Sequence, residues 1–318
     1  MSRFTTPLSE ERYNPRAILS LREDNEGGEV RQEVLETRRP QAYSQRELVI
    51  LIHGFNNTLR EGEEAYEAFR HGQEDTLVAH DKVTLEDMLG DCFWPGDAKW
   101  QGALDYLDFL IYPATIPKAK ASGEALARYL AGRVDVATIH VVAHSMGCRV
   151  ALETMKAMLL AGNEAQKVGK VCLMAASVPC FKVFPNGDLY EALQSAEYVR
   201  ILYSPDDPVL SIALPAGQSI AAGDEGFFPT ALGSYGDAPL SPGKIARTHI
   251  VGAQHGDYWG VPANISHQGA AHQVKEELAS FLGIGKDFRT FAEAPIPSSR
   301  PDIVKREIAH MRTFGGHP

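Results

Sequence analysis

The sequence predicts an α/β fold, with a mostly parallel central sheet and helices on both of its faces. Two continuous apolar runs, residues 47–52 and 136–142, have the length and composition of strands that are buried on both faces. A helical pattern follows each run, and this alternation of strand and helix is typical of parallel sheets. At 318 residues the chain is long enough for one large domain with a well-buried core.

The elements divide the chain into three regions. In residues 1–45, apolar stretches at 17–21 and 30–35 flank the turn-forming residues 24–28, a pattern that predicts an antiparallel hairpin at the sheet edge. Residues 46–284 are predicted to form the α/β core, followed by a polar tail, 285–318, with a short helix near 303–311. Within the core we expect helices at 58–70, 118–130 and 148–160, and strands ending near 94 and covering 170–175, 198–203 and 248–251.

Composition and charge exclude several functional classes. The formal net charge is −10 at pH 7, the pI is near 5.6, and no Lys- or Arg-rich block occurs, so we expect no nucleic-acid partner. No stretch approaches the roughly 18 apolar residues of a membrane-spanning helix, and the N-terminus lacks the apolar core of a signal peptide. We therefore expect a cytoplasmic protein with reduced, mostly buried thiols. The four cysteines are Cys92, Cys148, Cys172 and Cys180.

The most informative motif is Ala143-His144-Ser145-Met146-Gly147, which lies between a predicted strand and a predicted helix. Small residues two positions before and two after a serine are typical of a nucleophile elbow, a strained turn in which bulk at either flank would clash with its neighbours. The motif alone also fits an ordinary serine in a strand-to-helix turn. The interpretation therefore depends on what surrounds it in the sequence.

A second motif, His53-Gly54-Phe55, follows the apolar run at 47–52. In serine hydrolases with such an elbow, one oxyanion-hole donor comes from this loop and the other is the backbone N–H after the nucleophile. We therefore predict the N–H groups of Phe55 and Met146 as the paired donors. Gly54 lets the backbone approach the substrate closely, and His53 is expected to brace the loop by hydrogen bonding.

A nucleophile elbow also predicts a carboxylate and then a histidine, each in a loop after a later strand. The strand at 198–203 leads into Asp206 and Asp207, and the strand at 248–251 leads into His255. These positions lie at the C-terminal ends of strands, where open α/β sheets carry their chemistry. The pattern alone leaves both aspartates as candidates for the catalytic acid.

Several other histidines compete with His255 for the role of base. His255 is favoured because its loop is flanked by glycine and directly follows the last predicted strand. His144 adjoins the nucleophile, but neighbouring residues of a strand point to opposite faces, so we expect it to pack. The downstream competitors are His249, expected to pack in its strand, His267 and His272, which begin a later helix, and His310 and His317.

From residue 46 to 283 the sequence resembles serine α/β-hydrolases, and more narrowly a bacterial branch described as an α/β-hydrolase domain of unknown function. The matching stretches are Ile52–Asn56, Phe93–Pro95, Ala143–Gly147, Tyr203–Leu210, and His255 with Tyr258. The resemblance implies the α/β-hydrolase fold, with Ser145 as nucleophile, Asp207 as acid and His255 as base. Asp followed by Pro-Val is usual in this superfamily, which favours Asp207 over Asp206.

These groups predict hydrolysis of a carboxylic ester in a small-molecule acyl substrate. Ser145 attacks the carbonyl, an acyl-enzyme forms, and water hydrolyses it without a metal or organic cofactor. The same residues would serve a thioesterase, an amidase or an acyltransferase, because a triad does not identify the leaving group. The alternative from a different class is a non-catalytic, hydrolase-like binding module.

One long segment of the predicted core, residues 215–244, is rich in Gly, Pro, Ser and Asp. Loops of this length in compact domains are usually functional lids or disordered excursions. Because the segment lies between the candidate acid and the candidate base, we expect it to overhang the site as a lid. The candidates for lining the substrate pocket are Trp94, Phe227 and Phe228.

Overall fold

An eight-stranded sheet forms the centre of the protein in a computed structural model, which describes residues 15–23, 28–38, 46–55, 57–73, 85–97, 112–162, 165–213, 215, 226 and 229–283. The strands are β1 (Ala17–Arg22), β2 (Val30–Arg38), β3 (Glu47–Ile52), β4 (Leu89–Phe93), β5 (Thr138–His144), β6 (Lys167–Met174), β7 (Tyr198–Tyr203) and β8 (Ile245–His249). Their spatial order is β2-β1-β4-β3-β5-β6-β7-β8. Only the β1–β2 pair is antiparallel among these strands, which confirms the predicted sheet and its N-terminal hairpin.

Helices cover both faces of the sheet, as predicted. They are α1 (Leu59–Gln73), α2 (Tyr112–Ala131), α3 (Gly147–Leu160), α4 (Tyr190–Ser195), α5 (Leu232–Tyr235) and α6 (Gln268–Leu282). On one face α2 packs against α3 and α3 packs against α4, while α1 contacts α6. The central strands beneath them, β3, β5 and β6, are almost fully buried, as a sheet covered on both sides requires.

The start of α1 is fixed close to the ends of β3 and β4. Thr58 and Glu61 form a capping box, in which the Glu61 carboxylate accepts the Thr58 N–H at 2.9 Å and the Thr58 hydroxyl accepts the Glu61 N–H at 3.3 Å. One helical face then carries Tyr66, whose hydroxyl accepts the His53 N–H at 2.9 Å and donates to the Cys92 carbonyl at 2.5 Å. A single buried phenol therefore ties the loop after β3 to β4.

The last strand is displaced from its predicted position. β8 begins three residues before the predicted stretch 248–251 and ends at His249. Its centre carries Arg247, which is buried and pairs with Asp237 at 2.9 Å. The strand was difficult to recognise because a charged residue interrupts the apolar pattern and is compensated by a partner that sequence does not reveal.

The second half of the predicted lid segment is part of the packed core. Gly233 in α5 donates its N–H to the Ala176 carbonyl at 2.9 Å and accepts the Ser204 N–H at 3.0 Å. A Cβ added to Gly233 would lie 2.3 Å from the carbonyl carbon of Ala175, so the backbones are in direct contact. The lid itself stays a prediction. Phe227, Phe228 and the predicted tail helix at 303–311 lie outside the described residues.

All four cysteines of the chain are free thiols and buried. Within the described ranges, no helix combines the length and the apolar character needed to cross a membrane.

Candidate active site

The predicted nucleophile, acid and base meet at one edge of the sheet. Ser145 directly follows β5, Asp207 lies in the loop after β7, and His255 lies in the loop after β8. Because β5 to β8 are adjacent and parallel, their C-terminal ends lie side by side and bring these loops together.

A continuous hydrogen-bonded chain joins the three side chains. His255 Nε2 lies 2.8 Å from Ser145 Oγ, and His255 Nδ1 lies 2.7 Å from Asp207 Oδ2. Ser145 and Asp207 are buried, whereas the His255 side chain is 22% exposed and sits between them. The arrangement has the geometry of a Ser-His-Asp triad.

The turn at Ser145 has the strain and the close packing of a nucleophile elbow. Ser145 adopts φ 54°, a conformation that non-glycine residues rarely take, and its N–H donates to the Met174 carbonyl at 3.0 Å. A Cβ at Gly147 would lie 2.4 Å from the His53 oxygen and 2.6 Å from the Ile52 oxygen. Only glycine fits at this position, because the elbow packs directly against the end of β3.

The structure distinguishes the two adjacent aspartates. Asp207 is fully buried, and while one carboxylate oxygen faces His255, the other accepts the N–H groups of Val209 at 2.9 Å and Leu210 at 3.3 Å. Asp206 is exposed and accepts the Gly252 N–H at 3.2 Å. Asp207 is thus the aspartate beside the histidine, and backbone donors hold its carboxylate in place.

Both predicted oxyanion donors lie next to the elbow. Met146 is buried and is the N-cap of α3, and its N–H has no acceptor in the described part of the chain. Phe55 belongs to the loop that contacts the elbow, since a Cβ on Gly54 would lie 3.0 Å from the Ser145 Cβ. A buried, unsatisfied N–H at a helix N-terminus beside a nucleophile is suited to stabilising a developing oxyanion.

His53 braces the loop that follows β3. Its Nδ1–H donates to the Gly54 carbonyl at 2.9 Å, and its own carbonyl accepts the Trp94 indole N–H at 2.8 Å. The His53 and Trp94 rings stack with centroids 5.9 Å apart. Burial lowers the pKa of His53 to about 3, so the ring stays neutral. Trp94 is fully buried beneath the loop, and its contact with a substrate stays a prediction.

His144 holds the loop of the predicted base. Its Nε2–H donates to the backbone carbonyl of His255 at 3.0 Å, and the two rings lie 4.8 Å apart. Burial lowers the pKa of His144 well below the ordinary histidine value. The residue is therefore a neutral packing and hydrogen-bonding group, and its protonatable nitrogen Nδ1 faces Gly54.

Asp257, which the sequence analysis did not single out, fixes the same loop from the other side. It is buried, and its carboxylate accepts three backbone N–H groups, from Gln254 at 2.8 Å, Ser266 at 2.6 Å and His267 at 3.1 Å. An aspartate two residues after the candidate base was visible in the sequence, but its distant partners were not. These bonds therefore tie the loop that carries His255 to the start of α6.

The competing histidines have other roles or lie outside the described residues. His249 stacks on Tyr203 with ring centroids 5.3 Å apart, and His267 accepts the Ala270 N–H at 3.1 Å as the N-cap of α6. His272 is exposed. His310 and His317 are not described. Among the described residues, no group of three or more His, Cys, Asp or Glu side chains could hold a metal ion.

Comparison of the sequence with known families gives one match. The model of the family described as "Alpha/beta hydrolase of unknown function (DUF900)" matches residues 29–222, which include Ser145 and Asp207. The chain belongs to this family. Its DUF900 membership agrees with the observed sheet and with a hydrolase-type fold, and His255 lies beyond the matched region. A search of curated proteins finds no match for this DUF900 chain.

Several solved structures resemble this DUF900 protein at low sequence identity. Est1E from Butyrivibrio proteoclasticus, solved with ferulic acid bound, is 15% identical with a TM-score of 0.38, covering 75% of this chain and 91% of Est1E. A thermostable carboxylesterase from a metagenomic library, EstE1, is 12% identical with a TM-score of 0.36 and coverages of 74% and 80%. The Pyrococcus furiosus esterase Pf2001 is 10% identical with a TM-score of 0.33 and coverages of 76% and 83%.

Proposed function

We propose that this DUF900 protein is a serine hydrolase that cleaves a carboxylic ester, with Ser145 as nucleophile, His255 as base and Asp207 as acid. The observation that carries the proposal is the hydrogen-bonded chain from the buried Asp207 carboxylate through both ring nitrogens of His255 to Ser145 Oγ. Few purely structural roles require a serine with a strained backbone conformation at the end of such a hydrogen-bonded chain.

The direction of each hydrogen bond follows from the chemistry of the groups. An ionised carboxylate can only accept, so His255 donates its Nδ1–H to Asp207. The neutral ring then has an unprotonated Nε2, which accepts the Ser145 hydroxyl proton. The resting site is therefore set for proton transfer from Ser145 to His255 as the serine attacks.

The reaction then proceeds in two acyl-transfer steps. As Ser145 Oγ bonds to the substrate carbonyl carbon, its proton moves to His255 Nε2, and the N–H groups of Phe55 and Met146 bind the oxyanion. The tetrahedral intermediate collapses when His255 gives this proton to the leaving alcohol, which leaves an acyl-enzyme. Water then attacks the acyl-enzyme as the serine attacked the substrate, and the carboxylic acid product is released. These steps need no metal or organic cofactor.

We also propose that the protein is cytoplasmic, because its free, buried thiols suit a reducing compartment.

The experiment that tests the proposal combines covalent labelling with turnover. A fluorophosphonate probe should label the protein, and peptide mapping should place the modification on Ser145. A series of p-nitrophenyl esters of increasing acyl length should then reveal turnover, with acyl-CoA and anilide substrates as tests for thioesterase and amidase activity. A folded protein that takes up no probe and hydrolyses none of these substrates would contradict the proposal and favour the alternative of a binding module.

We expect the activity to rise with pH between about 5 and 9, because the proposed base must be unprotonated to accept the serine proton. His255 must be neutral to accept the serine proton, so activity is lost as the pH falls. Because the pKa values of His53 and His144 are lowered, both rings stay neutral across this range and add no second step. The measurement is kcat/KM as a function of pH from about 5 to 9.

Three variants test which histidine causes this pH dependence. His255→Ala should remove the pH-dependent limb together with most of the activity. His249→Ala should keep both, because the His249 ring stacks on Tyr203 and lies outside the hydrogen-bonded chain from Asp207 to Ser145. His144→Ala should keep the limb at the same pH even if the His255 loop loosens. A second acid limb in the wild type that disappears in His144→Ala would contradict the assignment.

Chelation should leave the activity unchanged, because the proposed steps use only side-chain and backbone groups of the protein. The measurement is p-nitrophenyl ester turnover before and after prolonged dialysis against EDTA. Loss of activity that a divalent cation restores would contradict the serine mechanism.

A further inference from the structure

A second serine lies directly beside the predicted nucleophile. Ser177 Oγ is 3.1 Å from Ser145 Oγ, and Ser177 is only 2% exposed. The residue comes three positions after the end of β6, the strand adjacent to β5. Parallel neighbouring strands end at the same sheet edge, which explains why the two hydroxyls meet although they are 32 residues apart.

Backbone hydrogen bonds hold the two serines in fixed relative positions. The Ser145 N–H donates to the Met174 carbonyl at 3.0 Å, and the Ser177 N–H donates to the Ser145 carbonyl at 3.2 Å. Between them Ala175 adopts φ 45° and donates its N–H to the Leu202 carbonyl at 3.0 Å. These backbone hydrogen bonds therefore place the two serines side by side at the edge of the sheet.

The proposed proton transfer from Ser145 to His255 sets the direction of this contact. If Ser145 donates its only hydroxyl proton to His255 Nε2, it has none left for Ser177, so Ser145 Oγ must be the acceptor. We propose, on the basis of the proposed serine-hydrolase function, that Ser177 is a further catalytic residue whose hydroxyl donates a hydrogen bond to the attacking oxygen of Ser145.

This bond orients the nucleophile. Ser145 Oγ carries two bonds, to Cβ and to its proton, and two lone pairs. With the proton held by His255 and one lone pair held by Ser177, the remaining lone pair has a single direction in which to attack. Restricting the nucleophile to its reactive geometry is a recognised source of rate acceleration.

The same bond accompanies Ser145 Oγ through both half-reactions. In acylation the Oγ–carbon bond forms and the serine proton passes to His255, while Ser177 keeps its own proton and remains a donor. In deacylation the Oγ–carbon bond breaks, and Oγ takes a proton back from His255. Negative charge on Oγ strengthens a hydrogen bond that it accepts, so Ser177 stabilises the oxygen both as it attacks and as it leaves.

The test compares four variants by their rate of fluorophosphonate labelling and by kcat and KM for a p-nitrophenyl ester. Ser177→Ala removes the hydroxyl, and Ser177→Cys nearly preserves the volume but offers only a weak donor. Ser177→Thr retains the hydroxyl. Ser122→Ala is the matched control, because Ser122 is fully buried in α2 and its hydroxyl has no partner among the described residues.

We expect labelling and kcat to fall about tenfold in Ser177→Ala and Ser177→Cys, with KM within about twofold of the wild type. Ser177→Thr should recover most of the rate, and Ser122→Ala should lose none. The inference is overturned if the Ala and Cys variants label as fast as the wild type, if Thr is no better than Ala, or if Ser122→Ala loses as much. A wild-type protein that takes up no probe would instead contradict the proposed function itself.

Discussion

Ser145→Ala is expected to abolish ester turnover and fluorophosphonate labelling, with a loss of about 10⁴-fold or more in kcat. The substitution removes the only oxygen that His255 Nε2 contacts in the described part of the chain and leaves the base without a nucleophile to activate. The measurement is turnover of a p-nitrophenyl ester, together with mass spectrometry of the probe-treated protein.

The fold should survive this change. Alanine keeps the Cβ of Ser145, and the backbone bonds of the elbow to Met174 and Ser177 do not involve the hydroxyl. An unchanged thermal unfolding midpoint would show that the loss is chemical. Near-wild-type turnover in a preparation free of contaminating esterases would mean that Ser145 is not the nucleophile.

Asp207→Asn is expected to lower kcat by roughly 10⁴-fold, whereas Asp206→Asn should change it by less than about threefold. An asparagine amide at position 207 can donate to His255 Nδ1 and so favours the tautomer with a proton on Nε2. That tautomer cannot accept the serine proton. The neighbouring Asp206 is exposed and accepts only the Gly252 N–H among the described contacts, which an asparagine carbonyl can also accept.

This pair of variants is a matched comparison, because the two residues are adjacent and the substitution is the same. Both proteins should unfold at similar temperatures, and the measurement is kcat for the same p-nitrophenyl ester. If Asp206→Asn is the damaging change and Asp207→Asn is mild, Asp206 is the acid and the geometry described here does not represent the working enzyme.

The parts of the fold that sequence predicts well are those specified locally. β7 occupies the predicted residues 198–203, and α3 begins one residue before the predicted helix, because apolar residues predominate in the first segment and recur at helical spacing in the second. The small residues around Ser145 predicted the turn in which it lies. The close packing of Gly147 explains why a small residue is needed there. β8 was displaced because Arg247 is compensated by Asp237, and a single sequence does not show that pairing.

The side-chain partners of the site were harder to predict. The spacing of the sequence motifs fitted Asp206 and Asp207 equally well as the candidate acid. Which of the two faces the histidine depends on the three-dimensional surroundings of the turn. Ser177 and Asp257 carried no recognisable motif, although each lies close to a predicted strand end or to the predicted base. The bond from His144 to the His255 carbonyl joins residues 111 positions apart, and only the folded chain brings them together.

The burial of every thiol makes the native protein convenient for site-specific attachment. Burial raises the pKa of Cys148, which follows Ser145 by three residues, well above its usual value, and the other three cysteines are also buried. Maleimide reagents, which need an accessible thiolate, should therefore react slowly with the folded chain. A cysteine introduced at Val134, which is 89% exposed, would offer the reagent one preferred target. Because Val134 precedes β5 and Ser145 follows it, a support attached there would be at the opposite end of this strand from the candidate active site.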